Sequence, residues 1–151
     1  MSIHQLAHRL HARGALPLAR LCDSIIFALF NSSIPATASI GTGTIFAYRG
    51  IGVVMHTAAV VGENCVLGQG ITIGSKEGFV TDLRPTACPR IGDNVYIAAG
   101  ARVLGDISVG SSSIIAANSV VLSDVATGSI VAGCPARVVG RTPEGYRAIQ
   151  R

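Results

Sequence analysis

Residues 91–125 read IGDNVYIAAGARVLGDISVGSSSIIAANSVVLSDV. Within this stretch Ile91, Ile97, Val103, Val109, Ile115 and Val121 stand six apart, and every one is aliphatic. The next residue is small at Gly92, Ala98, Gly110 and Ala116. Four positions after each aliphatic residue, Val95, Ala101, Ile107, Ser113, Ser119 and Val125 are again apolar or small. The same step runs back through Ile73, Leu67, Val61 and Met55, with Gly74, Gly68 and Gly62 following and Ile71, Cys65 and Ala59 at the second apolar position. Further upstream, Ile34, Ile40 and Phe46 keep the period in a register shifted by three. A period of six matches neither the helical 3.6 nor plain strand alternation. It matches a chain that turns a corner every six residues. Three short strands and three corners close a coil of about 18 residues, and stacked coils make a triangular prism with aliphatic ladders inside.

That architecture accounts for the composition. Hydrophobic residues make up 49% of the 151-residue chain, yet aromatics are only 5% and Trp is absent. A narrow prism wants small and β-branched residues and leaves no room for indole rings. The 18 glycines follow no Gly-X-Y period, which excludes collagen, and only 13% of residues are charged, which argues against disorder. Net charge is +4. The basic residues are scattered without interleaved aromatics, so nucleic acid is not an expected partner. Cys22, Cys65, Cys88 and Cys134 form no CxxC pair or zinc-ribbon spacing, and they read as reduced thiols of a cytoplasmic chain. The N-terminus reads as no signal peptide, because His4, His8, Arg9, His11 and Arg13 interrupt any apolar run. The most apolar stretch, Leu16 to Phe30, carries Arg20 and Asp23 and is shorter than the roughly 20 residues of a membrane span. Peripheral membrane contact through it stays open.

Residues 74–90 lack the ladder pattern, and the register resumes at Ile91 without a phase change. One coil's worth of chain is therefore expected to leave the prism as a loop, and loops on rigid scaffolds are where sites are built. Outside the prism, Leu6 and Leu10, then Leu18, Leu21, Ile25 and Leu29, give helical stripes over residues 2–14 and 17–30, broken at Gly14 with Pro17 in a first turn. The expected division is N-terminal helices over 1–31, a β-helix over 32–140, and a tail or short helix over 141–151.

Histidine is scarce. His4, His8 and His11 share one face of the first helix with no acidic or Cys companion, and read as a solvated or interface face rather than a metal stripe. No metal is expected. His56 follows Met55, where other turns mostly carry Gly or Ala. A bulky ionisable group there points outward from a corner. Histidine as a residue type titrates near neutrality, about 6.5, which suits general-base work; a packing role for His56 is the equal alternative on spacing alone. The sequence has no nucleophile elbow, Walker A loop or dinucleotide fingerprint. A zinc enzyme on the same prism would need three coil histidines, and only His56 lies in the coils.

The stretches GVVMHTAAVVGENCVLGQGITIG (52–74), PRIGDNVYIAAGARVLGDISVG (89–110), SIIAANSVVLSDV (113–125) and IVAGCPARVVG (130–140) resemble the catalytic domain of the serine acetyltransferase family. They are most similar to its short relatives from polysaccharide gene clusters, which O-acetylate sugars. HQLAHRLHARG (4–14) also resembles the helices that precede the family's prism. The resemblance implies an all-β left-handed parallel β-helix and acetyl-CoA as donor. It also implies a homotrimer with sites between adjacent prisms; pairing into a dimer of trimers stays open. It implies a His that deprotonates the acceptor hydroxyl, and donors for the oxyanion. CoA would run along small residues that let pantetheine approach the backbone, at Gly74 and Ser75, Ala98 and Ala99, and Ala116 and Ala117. Arg137 and Arg141 would meet its phosphates or lie solvated.

Departures from the family pattern shape the acceptor expectation. The family's DHATGIVVGE-like stretch aligns with AYRGIGVVMHT (47–57), so Tyr48 or Arg49 stands where the catalytic His is usual, and His56 falls seven or eight residues later. Cys88 before PRI aligns with a second His that helps hold serine, which puts Tyr48, Arg49 and Cys88 in acceptor-binding positions. The usual acidic partner aligns near Ser33, leaving Glu63 and Asp82 as guesses. The sequence-level expectation is an acetyl-CoA-dependent O-acetyltransferase with His56 as base and a glycan hydroxyl slightly ahead of L-serine. A non-catalytic prism scaffold is the competing class.

Overall fold

The computed structural model describes residues 3–76 and 88–149. Helices α1 (Ile3–Ala12) and α2 (Leu16–Phe30) precede a left-handed parallel β-helix. Its three faces are built from strands mostly two or three residues long. Face A stacks β3 (Val54–Met55), β6 (Thr72–Gly74), β9 (Arg102–Leu104) and β12 (Val120–Val121). Face B stacks β1 (Ser39–Ile40), β4 (Val60–Val61), β7 (Arg90–Ile91) and β10 (Ser108–Val109). Face C stacks β2 (Ile45–Phe46), β5 (Val66–Leu67), β8 (Tyr96–Ile97), β11 (Ile114–Ile115) and β13 (Ser129–Gly133), with β14 (Ala136–Arg141) antiparallel at its end.

Such short strands hold because each aliphatic ladder residue is removed from water by the coils above and below it. Every hexad residue from Met55 to Val121 that the sequence singles out is buried, with Leu67, Ile73, Ile97 and Ile115 fully so. Each contributes roughly 1.5–3 kcal/mol of burial. The second ladder is buried as well, and its two hydroxyls are satisfied by coil backbone. Ser113 Oγ donates to Ala126 O at 3.1 Å, and Ser119 Oγ accepts from the Gly133 N–H at 3.2 Å.

Two irregularities in register position the site. Ile91 and Val109 face each other eighteen positions apart, whereas Val61 and Ile91 are thirty apart. The excess is twelve residues, two-thirds of a coil rather than a whole one, because six of the eighteen positions from Ile73 to Ile91 are the ordinary step from face A to face B. Residues 77–87 of this segment lie outside the described residues. Ile40 and Val61 are twenty-one apart, an excess of three. A 3-10 turn at Ala47–Gly50 takes up these residues, with Tyr48, Arg49 and Gly50 all at positive φ. That turn is the physical origin of the upstream register shift.

Ala7 of α1 and Ala19 and Cys22 of α2 pack on Ala36 at the first corner, while Ile26 joins the prism core. The opposite side of α2 leaves Leu18, Leu21, Ile25 and Leu29 exposed. Among the described residues no helix is long and apolar enough to cross a membrane. After β14 the described chain forms turns, not the alternative short helix. Gly145 sits at φ +71°, and Asn94 ties the segment down by donating to Tyr146 O at 2.6 Å and accepting from the Ala148 N–H at 2.7 Å.

Candidate active site

His56 stands at the corner where face A turns into face B. Its N–H donates to Ile73 O at 2.8 Å, and its carbonyl accepts from Ala59 N at 3.0 Å, closing the turn. The ring is half-buried. Pairing Val61 with Ile91 lays the segment entering β7 against this corner, and there Cys88 meets the ring: Sγ lies 2.8 Å from Nδ1. The Ala58 N–H donates to the same nitrogen at 3.1 Å. Cys88 is buried, and desolvation pushes its thiol above the ordinary range; nearby Asp106 adds to this and Arg90 opposes it. The Arg90–Asp106 pair, 3.3 Å apart, is well exposed and contributes little stability.

Cys88 therefore touches His56, a contact that the acceptor-binding expectation did not contain. Of the two guessed acidic partners, Glu63 sits at the face B–face C corner, where its Oε1 accepts from Thr42 Oγ1 at 3.0 Å, away from His56. Asp82 lies outside the described residues. The group that the structure sets against the ring is a thiol. The contact follows from the register across the gap, which the spacing alone does not fix. A pairing of Val61 with Ile91 puts position 88 level with position 58, two residues from His56.

The remaining candidates divide between corners. Gly74 and Ser75 share the His56 corner. Ala98, Ala99, Ala116 and Ala117 stack at the face C–face A corner, which begins with Tyr48 and Arg49. Tyr48 is 73% exposed, and both residues hold a backbone conformation that bulky side chains rarely adopt. Face A separates the two sets within one prism. Arg137 lines a cavity of about 290 Å³ under β14, with its guanidinium bonded to Ala136 O, near the end of the small-residue corner. Arg141 reaches Thr127 O at 3.3 Å on the opposite edge of that sheet. The two arginines do not form one cluster. Among the described residues no group of His, Cys, Asp and Glu could hold a metal ion. All four cysteines are free of disulfides.

The bacterial transferase hexapeptide (six repeats) family profile matches residues 88–123. A serine acetyltransferase of Mycobacterium tuberculosis is 39% identical over 139 residues, 92% of this chain and 58% of that protein. One from Staphylococcus xylosus is also 39% identical, across 90% of this chain and 61% of its own length. The solved serine acetyltransferase of Brucella abortus in complex with coenzyme A superimposes with a TM-score of 0.84 at 37% identity, over 93% of this chain and 54% of that one. Along nearly its whole length the chain is similar to serine acetyltransferases, and the hexapeptide profile falls within the same prism. The chain spans a little over half the length of the curated relatives it matches.

The comparisons correct the acceptor expectation. The relatives matched at 37–39% identity along nearly the whole chain are named serine acetyltransferases, not glycan acetyltransferases. The glycan reading rested on substitutions at Tyr48, Arg49 and Cys88, a few residues at two corners. The likeness runs the length of the prism, so substitutions at two corners do not by themselves reassign the acceptor.

Proposed function

We propose that this chain transfers an acetyl group from acetyl-CoA to the side-chain hydroxyl of L-serine. The observation that carries this reading is the likeness to serine acetyltransferases over nine-tenths of the chain, with a TM-score of 0.84 to one solved with coenzyme A. His56 takes the hydroxyl proton as the serine oxygen attacks the thioester carbonyl, and returns it to the departing CoA thiolate. Ala98, Ala99, Ala116 and Ala117 leave the backbone of their corner open to a pantetheine arm, and Gly74 and Ser75 do the same beside His56. Among the described residues, a Cβ on Gly74 would meet nothing nearer than Thr72 Cγ2 at 4.0 Å. Arg137 lies near the end of the small-residue corner, where CoA phosphates would pass.

Assembly completes the site in this reading. The two sets of candidates stand on different corners of one prism, and a homotrimer lets the His56 corner of one protomer face the alanine corner of the next. Face C supports assembly because its outward ladder is apolar in each of five coils: Ile45, Val66, Tyr96, Ile114 and Ile130. Faces A and B carry Arg102 and Arg90 outward instead. The exposed apolar stripe of α2 offers a second contact through which trimers would pair. Four free thiols accord with a cytoplasmic setting.

The test is release of CoA thiol from acetyl-CoA by the purified chain. Release that requires L-serine and saturates with it is expected. No stimulation by L-serine, together with no CoA binding by calorimetry, would overturn the reading in favour of a scaffold.

A further inference from the structure

His56 and Cys88 meet at one corner although thirty-two residues separate them. A ring nitrogen that accepts a backbone N–H is bare. Because Ala58 N–H donates to Nδ1, the neutral ring keeps its proton on Nε2, and the Cys88 S–H is the second donor to Nδ1. Nε2 has no hydrogen-bond partner among the described residues and is the nitrogen left to face an acceptor. In this state it is a donor; a nitrogen that already holds a proton cannot take another from a hydroxyl. Loss of one proton from the pair reverses the roles. The Nε2 proton leaves for solvent, the thiol proton passes to Nδ1, which gives up the Ala58 N–H bond and donates to the sulfur anion, and Nε2 stands bare.

We propose that Cys88 is a positioning residue whose thiol sets the tautomer of His56, so that deprotonation of the Cys88–His56 pair converts Nε2 from a hydrogen-bond donor into a base. The thiol holds the place an orienting carboxylate would otherwise fill. The proton belongs to the pair, and its loss is read as one macroscopic step. Burial, first, and then Asp106 hold the proton on Cys88, while Arg90 favours its loss. The consequence for turnover rests on the acetyl-transfer reading above. The tautomer switch itself does not.

The experiment is a pH titration of the histidine side-chain nitrogens by 15N NMR on the full chain, with His56 assigned by its loss in His56→Gln. In the wild type we expect the Nε2-protonated form at neutral pH and conversion to the Nδ1-protonated form as pH rises. Cys88→Ser keeps a hydrogen-bonding hydroxyl that does not ionise in this range, so its His56 should hold the Nε2-protonated form throughout; Cys88→Ala should do the same. An unchanged tautomer at alkaline pH in the wild type, or the same conversion in Cys88→Ser, overturns the proposal. These readouts need no acceptor, so they stand whether or not L-serine is acetylated. If it is, kcat should climb about tenfold per pH unit below the titration of the pair in the wild type and lose that climb in Cys88→Ser, with CoA affinity unchanged.

Discussion

Gly62→Ala places a methyl group between two coils. The added Cβ would fall 2.7 Å from both the carbonyl carbon and the oxygen of Gly92, and would also strike the Asp93 carboxylate. Real Cβ atoms essentially never come within 3.0 Å of such atoms, so the coils must part by several tenths of an ångström. The backbone cannot yield cheaply there. Gly62 N–H donates to Ile91 O at 2.9 Å and Glu63 N–H to Asp93 Oδ1 at 2.8 Å, and both bonds hold the same two coils together. Overpacking of this kind costs about 1–3 kcal/mol, and stretching one such hydrogen bond adds about 1 kcal/mol. A total of about 2–4 kcal/mol in a chain of this size lowers the thermal midpoint by about 5–15 °C. Gly74→Ala is the matched control: among the described residues its new Cβ meets only Thr72 Cγ2 at 4.0 Å, and Gly74 is not at positive φ. It should leave the midpoint unchanged or raise it slightly, because alanine restricts the unfolded chain. Differential scanning calorimetry on both variants decides the matter. Equal losses, or a neutral Gly62→Ala, would refute the reasoning that coil contact demands glycine at the corners.

Leu67→Ala, at a fully buried ladder position, should cost about 2–5 kcal/mol in denaturant unfolding. His4 is held below its usual 6.5, first by burial, with His8 adding to this and the Pro35 hydrogen bond and Asp23 opposing it. The fold therefore favours the neutral ring. Its contribution is full above about pH 6.5 and is lost as pH falls through the lowered value, so the drop in thermal midpoint from pH 7.5 to pH 5 should shrink in His4→Gln. Ala117 is exposed at the alanine corner, and Ala117→Trp should leave unfolding unchanged while abolishing CoA binding in calorimetry.

The prism was legible because its physics is periodic. One residue in six must be aliphatic to fill the interior, and positions such as Ile97 and Ile115 announce this without any knowledge of their neighbours. Corner glycines were legible for the same reason. The aperiodic parts were not. The three extra residues at Ala47–Gly50 show in the sequence only as a shifted register, and the gap reads as a whole coil because its eighteen positions include the ordinary step between faces. His56 stands out as a titratable group among small corners, but its partner is a thiol rather than a carboxylate. A contact between residues 56 and 88 depends on how many residues the insertion removes from the coil count, which the spacing alone does not fix. The acceptor is not legible for a related reason: substitutions at two corners point one way and the likeness of the whole prism points the other.

The central claim is that His56 removes the proton from the hydroxyl of L-serine during acetyl transfer. Its most direct measurement is formation of O-acetyl-L-serine, identified by mass spectrometry, by wild type and His56→Ala at saturating acetyl-CoA and L-serine. The wild type should form the product, and the variant should lose turnover by a factor on the order of 10²–10⁴ while binding CoA as before. Near-wild-type turnover by His56→Ala would contradict the account.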